Sequence, residues 1–146
     1  MKKKASEKAA ALMAIRPEYV EKIAEGTKTF ELRRKIGQEF VERKIPTIAV
    51  YSSAPTQRIV GLIEVLKVHH MSLKDLWRLV EGSAGISYIQ YQEYFKGVSS
   101  GYAIEILRYI PTFYSTLSEL GITRPPQNYQ FINETQLDQI LSKGLM

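Results

Sequence analysis

The chain has no cysteine and only two histidines among its 146 residues. Disulfides, thiolate nucleophiles and thiolate-ligated zinc are therefore excluded. The two histidines, His69 and His70, are neighbours in the chain. On a strand they face opposite ways and do not share one metal ion, so no metal site and no other cofactor is expected. No apolar run approaches the ~20 residues of a membrane span. Lys2, Lys3 and Lys4 lead into a short apolar run and then Arg16-Pro17-Glu18, without a cleavage pattern, so no signal peptide is expected. Together these absences point to a cytoplasmic protein with no membrane partner. No glycine-rich phosphate loop occurs, and Ser52 and Ser53 lack the G-x-S-x-G context of a serine hydrolase.

What is present is an ordinary globular composition with a net charge of +5. The charge is unevenly placed. Residues 1–44 carry twelve Lys/Arg against seven Asp/Glu, and the remainder carries eight of each. A basic surface at the start of the chain attracts polyanions. Lys2–Lys4 belong to what reads as a flexible basic tail over residues 1–9, and without them the excess is +2. Residues 10–146 suit a single domain with a real core. Nothing in the sequence specifies an oligomeric state.

The chain is organised around residues 15–35. Pro17 suits the first turn of a helix, Glu18 and Glu21 complement its dipole, and Tyr19, Val20, Ile23 and Ala24 fall on one face. Gly26 ends the helix in the left-handed conformation. The period then changes to two. Phe30 and Leu32 face one side of a strand, while Thr29, Glu31, Arg33 and Lys35 face the other. Arg33 beside Glu31 holds the carboxylate ionised, or both meet a polar ligand. Lys28 has the wrong parity and joins them only if the Gly26–Thr27 turn or a bulge re-aims it.

Further strands are expected at Ala10–Ile15, Thr47–Ser52, Ile59–Val68, Gly101–Ile110 and Asn128–Ile132. Gly61 marks a bulge or a close backbone approach. Residues 37–45 read as a loop or a short turn of helix. Ser72 with Asp75 and Ser87 with Gln90 start two helices, and Thr135 with Asp138 starts a last one. Glu64 sits mid-strand and needs a cation, either Lys28 or one on a facing strand. Tyr94, Tyr102 and Tyr129 lie near polar segments, where bases stack on rings. The reading is an α+β domain with a small, mostly antiparallel β-barrel and peripheral helices.

The segment GTKTFELR resembles the G-x-K-x-x-E-x-R signature of the ASCH domain family, relatives of the PUA fold. YSSAP, IVGLIEV, GYAIEI and PPQNYQF follow in the family's order, so the resemblance extends over most of the chain. It implies a PUA-like β-barrel with a cleft for RNA or a nucleotide. Some small relatives are amidohydrolases on acylated cytidine nucleosides, and others have been proposed as ribonucleases. The position matching Glu31 resembles a threonine nucleophile in the amidohydrolase-like members, and a carboxylate does not copy that role.

Three readings follow. The first is an RNA- or nucleotide-binding module of regulatory kind, with a charged cleft. Its candidate residues are Arg16, Lys28, Glu31, Arg33, Ser52 and Ser53, together with Tyr102, Gln127 and Asn128. The second is a hydrolase in the same cleft, acting on RNA or on acylated or modified nucleosides, with Lys28 and Glu31 as the proton-transfer pair. The third is a protein-interaction adaptor built on the helices of residues 72–96.

Overall fold

A computed structural model describes residues 7–146. Of the expected tail, residues 1–6 lie outside the described residues. Ala9 donates its N–H to the Ile132 carbonyl at 2.8 Å, and Lys8 pairs with Glu39.

One six-stranded sheet organises the chain. Its strands are β1 (Ala10–Ile15), β2 (Phe30–Arg33), β3 (Thr47–Ser52), β4 (Arg58–Ser72), β5 (Ser100–Ser115) and β6 (Tyr129–Ile132). They run in the order β2-β5-β4-β3-β1-β6. Only β1 and β3 are parallel; the other four pairings are antiparallel. The α+β architecture and the mostly antiparallel pairing are as expected, but the sheet is open, with β2 and β6 as its edges, so it is a barrel only in a loose sense. Side chains link the two edges instead of a ladder. Arg33 donates to Asn128 Oδ1 at 3.0 Å and to the Ala14 carbonyl at 2.9 Å. Asn128 Nδ2 donates to the Lys35 carbonyl at 2.8 Å, and the Gly37 N–H donates to the Tyr129 hydroxyl at 2.8 Å. The gap between β2 and the end of β1 is therefore tied but not zipped.

β1 and β3 are buried on both faces, with Met13, Ile48 and Val50 on one side and Leu12, Ala49 and Tyr51 on the other. This accounts for their nearly continuous apolar runs. β4 is irregular at three points, one of them at Gly61. A Cβ on Gly61 would lie 2.4 Å from the Tyr109 hydroxyl and 2.8 Å from the Ile110 carbonyl oxygen, so the close approach read from the sequence is real.

The helices are α1 (Pro17–Glu25), α2 (Gln38–Glu42), α3 (Leu73–Val80), α4 (Tyr88–Tyr94) and α5 (Glu134–Ser142). In α1 the buried face carries Ile23, with Tyr19 and Val20 packed beside it, whereas Ala24 is exposed. Gly26 adopts φ 85°, the left-handed stop expected of it. Ser87 and Gln90 form a reciprocal capping box on α4. At α3 Ser72 accepts from the Asp75 N–H. The cap of α5 is Asn133 with Gln136, two residues earlier than the Thr135 start. α3 and α4 pack Leu76, Val80, Tyr91 and Phe95 over Phe30, Leu32 and Ala103, the outer face of the sheet's β2–β5 end.

Candidate functional site

The cleft lies at the untied part of the sheet gap. Its floor is β2, one wall is the β1–α1 junction with Ala14, Arg16 and Tyr19, and the other is α4 with Gln90, Glu93 and Tyr94. Its volume is about 440 Å³.

Three charged residues form the floor. β2 starts only at Phe30, so Lys28 lies in the non-strand connection and is freed from strand parity. The Thr29 N–H donates to the Ser83 carbonyl at 2.8 Å, and the Ile106 N–H donates to the Thr29 carbonyl at 2.9 Å. These bonds hold the connection while Lys28 turns inward. Its Nζ donates to the Ala84 carbonyl at 2.6 Å and lies 3.3 Å from Glu31 Oε1. It also sits 5.2 Å from the centre of the Tyr19 ring. Arg33 donates to the other carboxylate oxygen, Glu31 Oε2, at 2.7 Å. Lys28 is 3% exposed and Glu31 5%. Of the Arg33 nitrogens only Nε, itself buried, lacks a partner.

The electrostatics follow from that burial. Burial pushes the Glu31 carboxyl up, but Arg33 and Lys28 outweigh it and hold the group below the usual glutamate range. Burial lowers the Lys28 ammonium, against the opposing pull of Glu31, and Arg33 and Lys22 lower it further. Glu31 is thus a fixed anion, and Lys28 releases its proton more readily than a surface lysine. Burial also raises the Tyr94 phenol, whose hydroxyl donates to the Leu32 carbonyl at 3.2 Å.

The structure brings Arg16, Lys28, Glu31 and Arg33 to one cleft. Asn128 stands behind Arg33 and orients it. The other candidates lie outside the lining. Ser52 is buried at the end of β3, paired with Ile15, and Ser53 donates its N–H to the Ile15 carbonyl at 2.9 Å. Tyr102 pairs with Arg33 across β5, but its ring stacks on His70 at 4.1 Å. Gln127 is exposed beside the β6 turn. Tyr129 is taken up by Gly37 and the Phe40 and Phe131 rings. Glu64 does not approach Lys28: Arg108 on β5 grips it with two bonds of 2.8 Å, the cross-strand ion pair. Among the described residues no cluster of His, Asp and Glu suits a metal ion. His69 instead bonds Glu105 at 2.7 Å.

Sequence reasoning missed Gln90, Glu93 and Ile86 as lining residues. Gln90 carried a capping signal and Tyr94 an aromatic one, but only the docking of α4 over β2 turns them toward Lys28. Arg16 is exposed at the rim and has no ion-pair partner among the described residues.

A family model described as ASCH domain matches residues 13–113. A protein of Zymomonas mobilis described as an ASCH domain-containing ribonuclease is 24% identical over 136 residues, covering 90% of each chain. A crystal structure of ASCH from Zymomonas mobilis superposes with a TM-score of 0.81 at 23% identity, over 92% of this chain and 94% of that one. The N-terminal domain of Staphylothermus marinus McrB gives a TM-score of 0.62 at 12% identity, over 95% of this chain and 96% of that one.

Proposed function

The chain belongs to the ASCH domain family, and from that premise we propose that its cleft binds RNA or a nucleotide through a charged floor. The observation that carries the reading is the largely buried Lys28–Glu31–Arg33 cluster beneath Arg16, which has no ion-pair partner among the described residues. The floor is a preorganised polar surface, because its side chains are already ordered by one another. Arg16 supplies an exposed guanidinium at the rim for phosphate. Tyr94 offers a ring edge and face to a base, and Gln90 and Glu93 offer amide and carboxylate partners to its polar groups. The reading takes the cytoplasm as the place of action.

A second reading is hydrolysis of an RNA phosphodiester in the same cleft. Two observations favour it: the lowered pKa of Lys28, and the description of the Zymomonas mobilis relative as a ribonuclease. In this reading a water attacks the phosphorus and gives its proton to solvent, the bond to the departing ribose oxygen breaks, and the Lys28 ammonium protonates that oxygen and is recharged from solvent, while Glu31 stays ionised and holds the ammonium in place.

The deciding experiment for the cleft is binding of a short single-stranded RNA, followed by fluorescence anisotropy across salt concentrations. About three phosphate contacts give a slope near −2 in log K against log[salt]. Arg16→Ala should weaken binding several-fold and make the slope shallower by about 0.7. No binding at low salt would remove the RNA reading.

A further inference from the structure

The face of α4 turned away from the cleft forms a second groove with α3, of about 420 Å³. Trp77 lies in it, 5.1 Å from the Tyr88 ring and 4.8 Å from the Tyr91 ring. Tyr88 keeps half of its surface open at 50% exposure. The cations Lys74, Arg78 and Lys96 line the same groove, and no carboxylate does. Asp75 reaches Arg78 only at 4.0 Å on an exposed surface, so it neutralises little of that charge.

The groove and the cleft adjoin. Tyr94 lines the cleft, and its chain neighbours Phe95 and Lys96 line the groove. Arg34, next to the floor residue Arg33, donates to the Tyr94 carbonyl at 3.0 Å and to the Lys96 carbonyl at 2.8 Å. A basic residue therefore bridges the two around the end of α4.

We propose that this groove is a second contact for a single-stranded nucleic acid whose bases stack on Trp77 and Tyr88 and whose phosphates meet Lys74, Arg78 and Lys96. A half-open Tyr88 ring and a part-buried Trp77 ring beside the exposed cations Lys74, Arg78 and Lys96 suit a flexible strand, which presents bases and phosphates together. A duplex hides its base faces and does not. The proposal rests on the RNA reading of the cleft for its ligand class, and it extends the binding track beyond the cleft.

Trp77 is the sole tryptophan, so its emission reports on this groove alone. The probe is a labelled oligouridylate of about ten nucleotides, within the usual span of such sites. The oligonucleotide is expected to quench Trp77. Tyr88→Ala combined with Lys96→Glu alters two exposed side chains, and folding is checked by circular dichroism. This variant is expected to bind roughly tenfold more weakly and to lose most of the quench. Arg16→Glu serves as the cleft control: it should weaken binding yet leave the quench at saturation. If Arg16→Glu has no effect while the groove variant does, the cleft reading fails and the groove stands. Unchanged Trp77 emission at saturation, wild-type affinity in the groove variant, or an equal response to a blunt RNA duplex would each overturn the proposal.

Discussion

Lys28 and Glu31 meet at 3.3 Å although their spacing would place them on opposite faces of a regular strand. The contact exists because β2 begins at Phe30 and the connection before it turns Lys28 inward. Glu31 in turn separates two cations, Lys28 and Arg33, that would otherwise repel each other in a nearly dry setting.

Glu31→Gln should therefore be strongly destabilising. It removes the carboxylate held between the buried Lys28 and the part-buried Arg33, and breaking a buried ion pair costs about 3–5 kcal/mol. Urea unfolding measures the loss. A double-mutant cycle with Arg33→Ala should give a coupling energy of about 1–3 kcal/mol. Strict additivity would mean that the two side chains do not act on each other.

Acid should unfold the wild type partly through the same carboxylate. Glu31 titrates at a lower pH folded than unfolded. Between the two values the unfolded chain binds more protons, so stability rises with pH there. The contribution is complete above the ordinary glutamate pKa of 4.5 and disappears as the pH falls through the folded value. Stability measured from pH 6 downward, at roughly unit steps, should show a steeper fall in wild type than in Glu31→Gln. Parallel curves would show that Glu31 is not held ionised by the fold.

Lys28→Arg separates binding from turnover. Arginine keeps the charge but holds its proton above a pKa of about 12. If Lys28 donates a proton during RNA cleavage, the variant should bind within several-fold of wild type and lose turnover. Cleavage of a labelled short RNA at neutral pH is the assay, and equal rates would remove Lys28 from proton transfer. Lys28→Met controls for fit, since the linear side chain suits the lysine site and carries no proton.

Gly85→Ala tests how the lysine is positioned. Gly85 has φ +75°, and a Cβ there would lie 3.1 Å from Lys28 Cδ and 3.3 Å from Lys22 Cδ. The left-handed backbone alone disfavours alanine by about 1–2 kcal/mol. The new methyl also presses on both lysine stems, whose ammonium groups the Ala84 and Gly85 carbonyls receive. RNA affinity should fall together with stability. Unchanged affinity at reduced stability would show that the 82–86 loop supports the fold without positioning Lys28.

Much of this molecule was legible from local pattern. The Gly26 stop, the Ser87–Gln90 box, the Thr47–Ser52 strand and the Glu31–Arg33 alternation each depend on residues within a few positions of one another. Short-range geometry determines them, and the structure bears them out. What lay beyond the sequence were relationships across long stretches of chain. Whether the sheet closes depends on a ladder between its first and last strands; β2 and β6 form none and stay as edges, and Arg33 spans the gap to Asn128 and Ala14 by side-chain bonds. Glu64 finds Arg108 rather than Lys28 because β4 and β5 pair in that register. Ser52, Ser53 and Tyr102 share the charged strand's neighbourhood yet point elsewhere, since β3 buries one serine and His70 takes the tyrosine ring. The cleft needs α4 laid over β2, and that placement comes from packing Tyr91 and Phe95 against Phe30 and Leu32. Burial acts last: it makes Lys28 a weaker base while its partner stays charged, and burial exists only once the chain has folded.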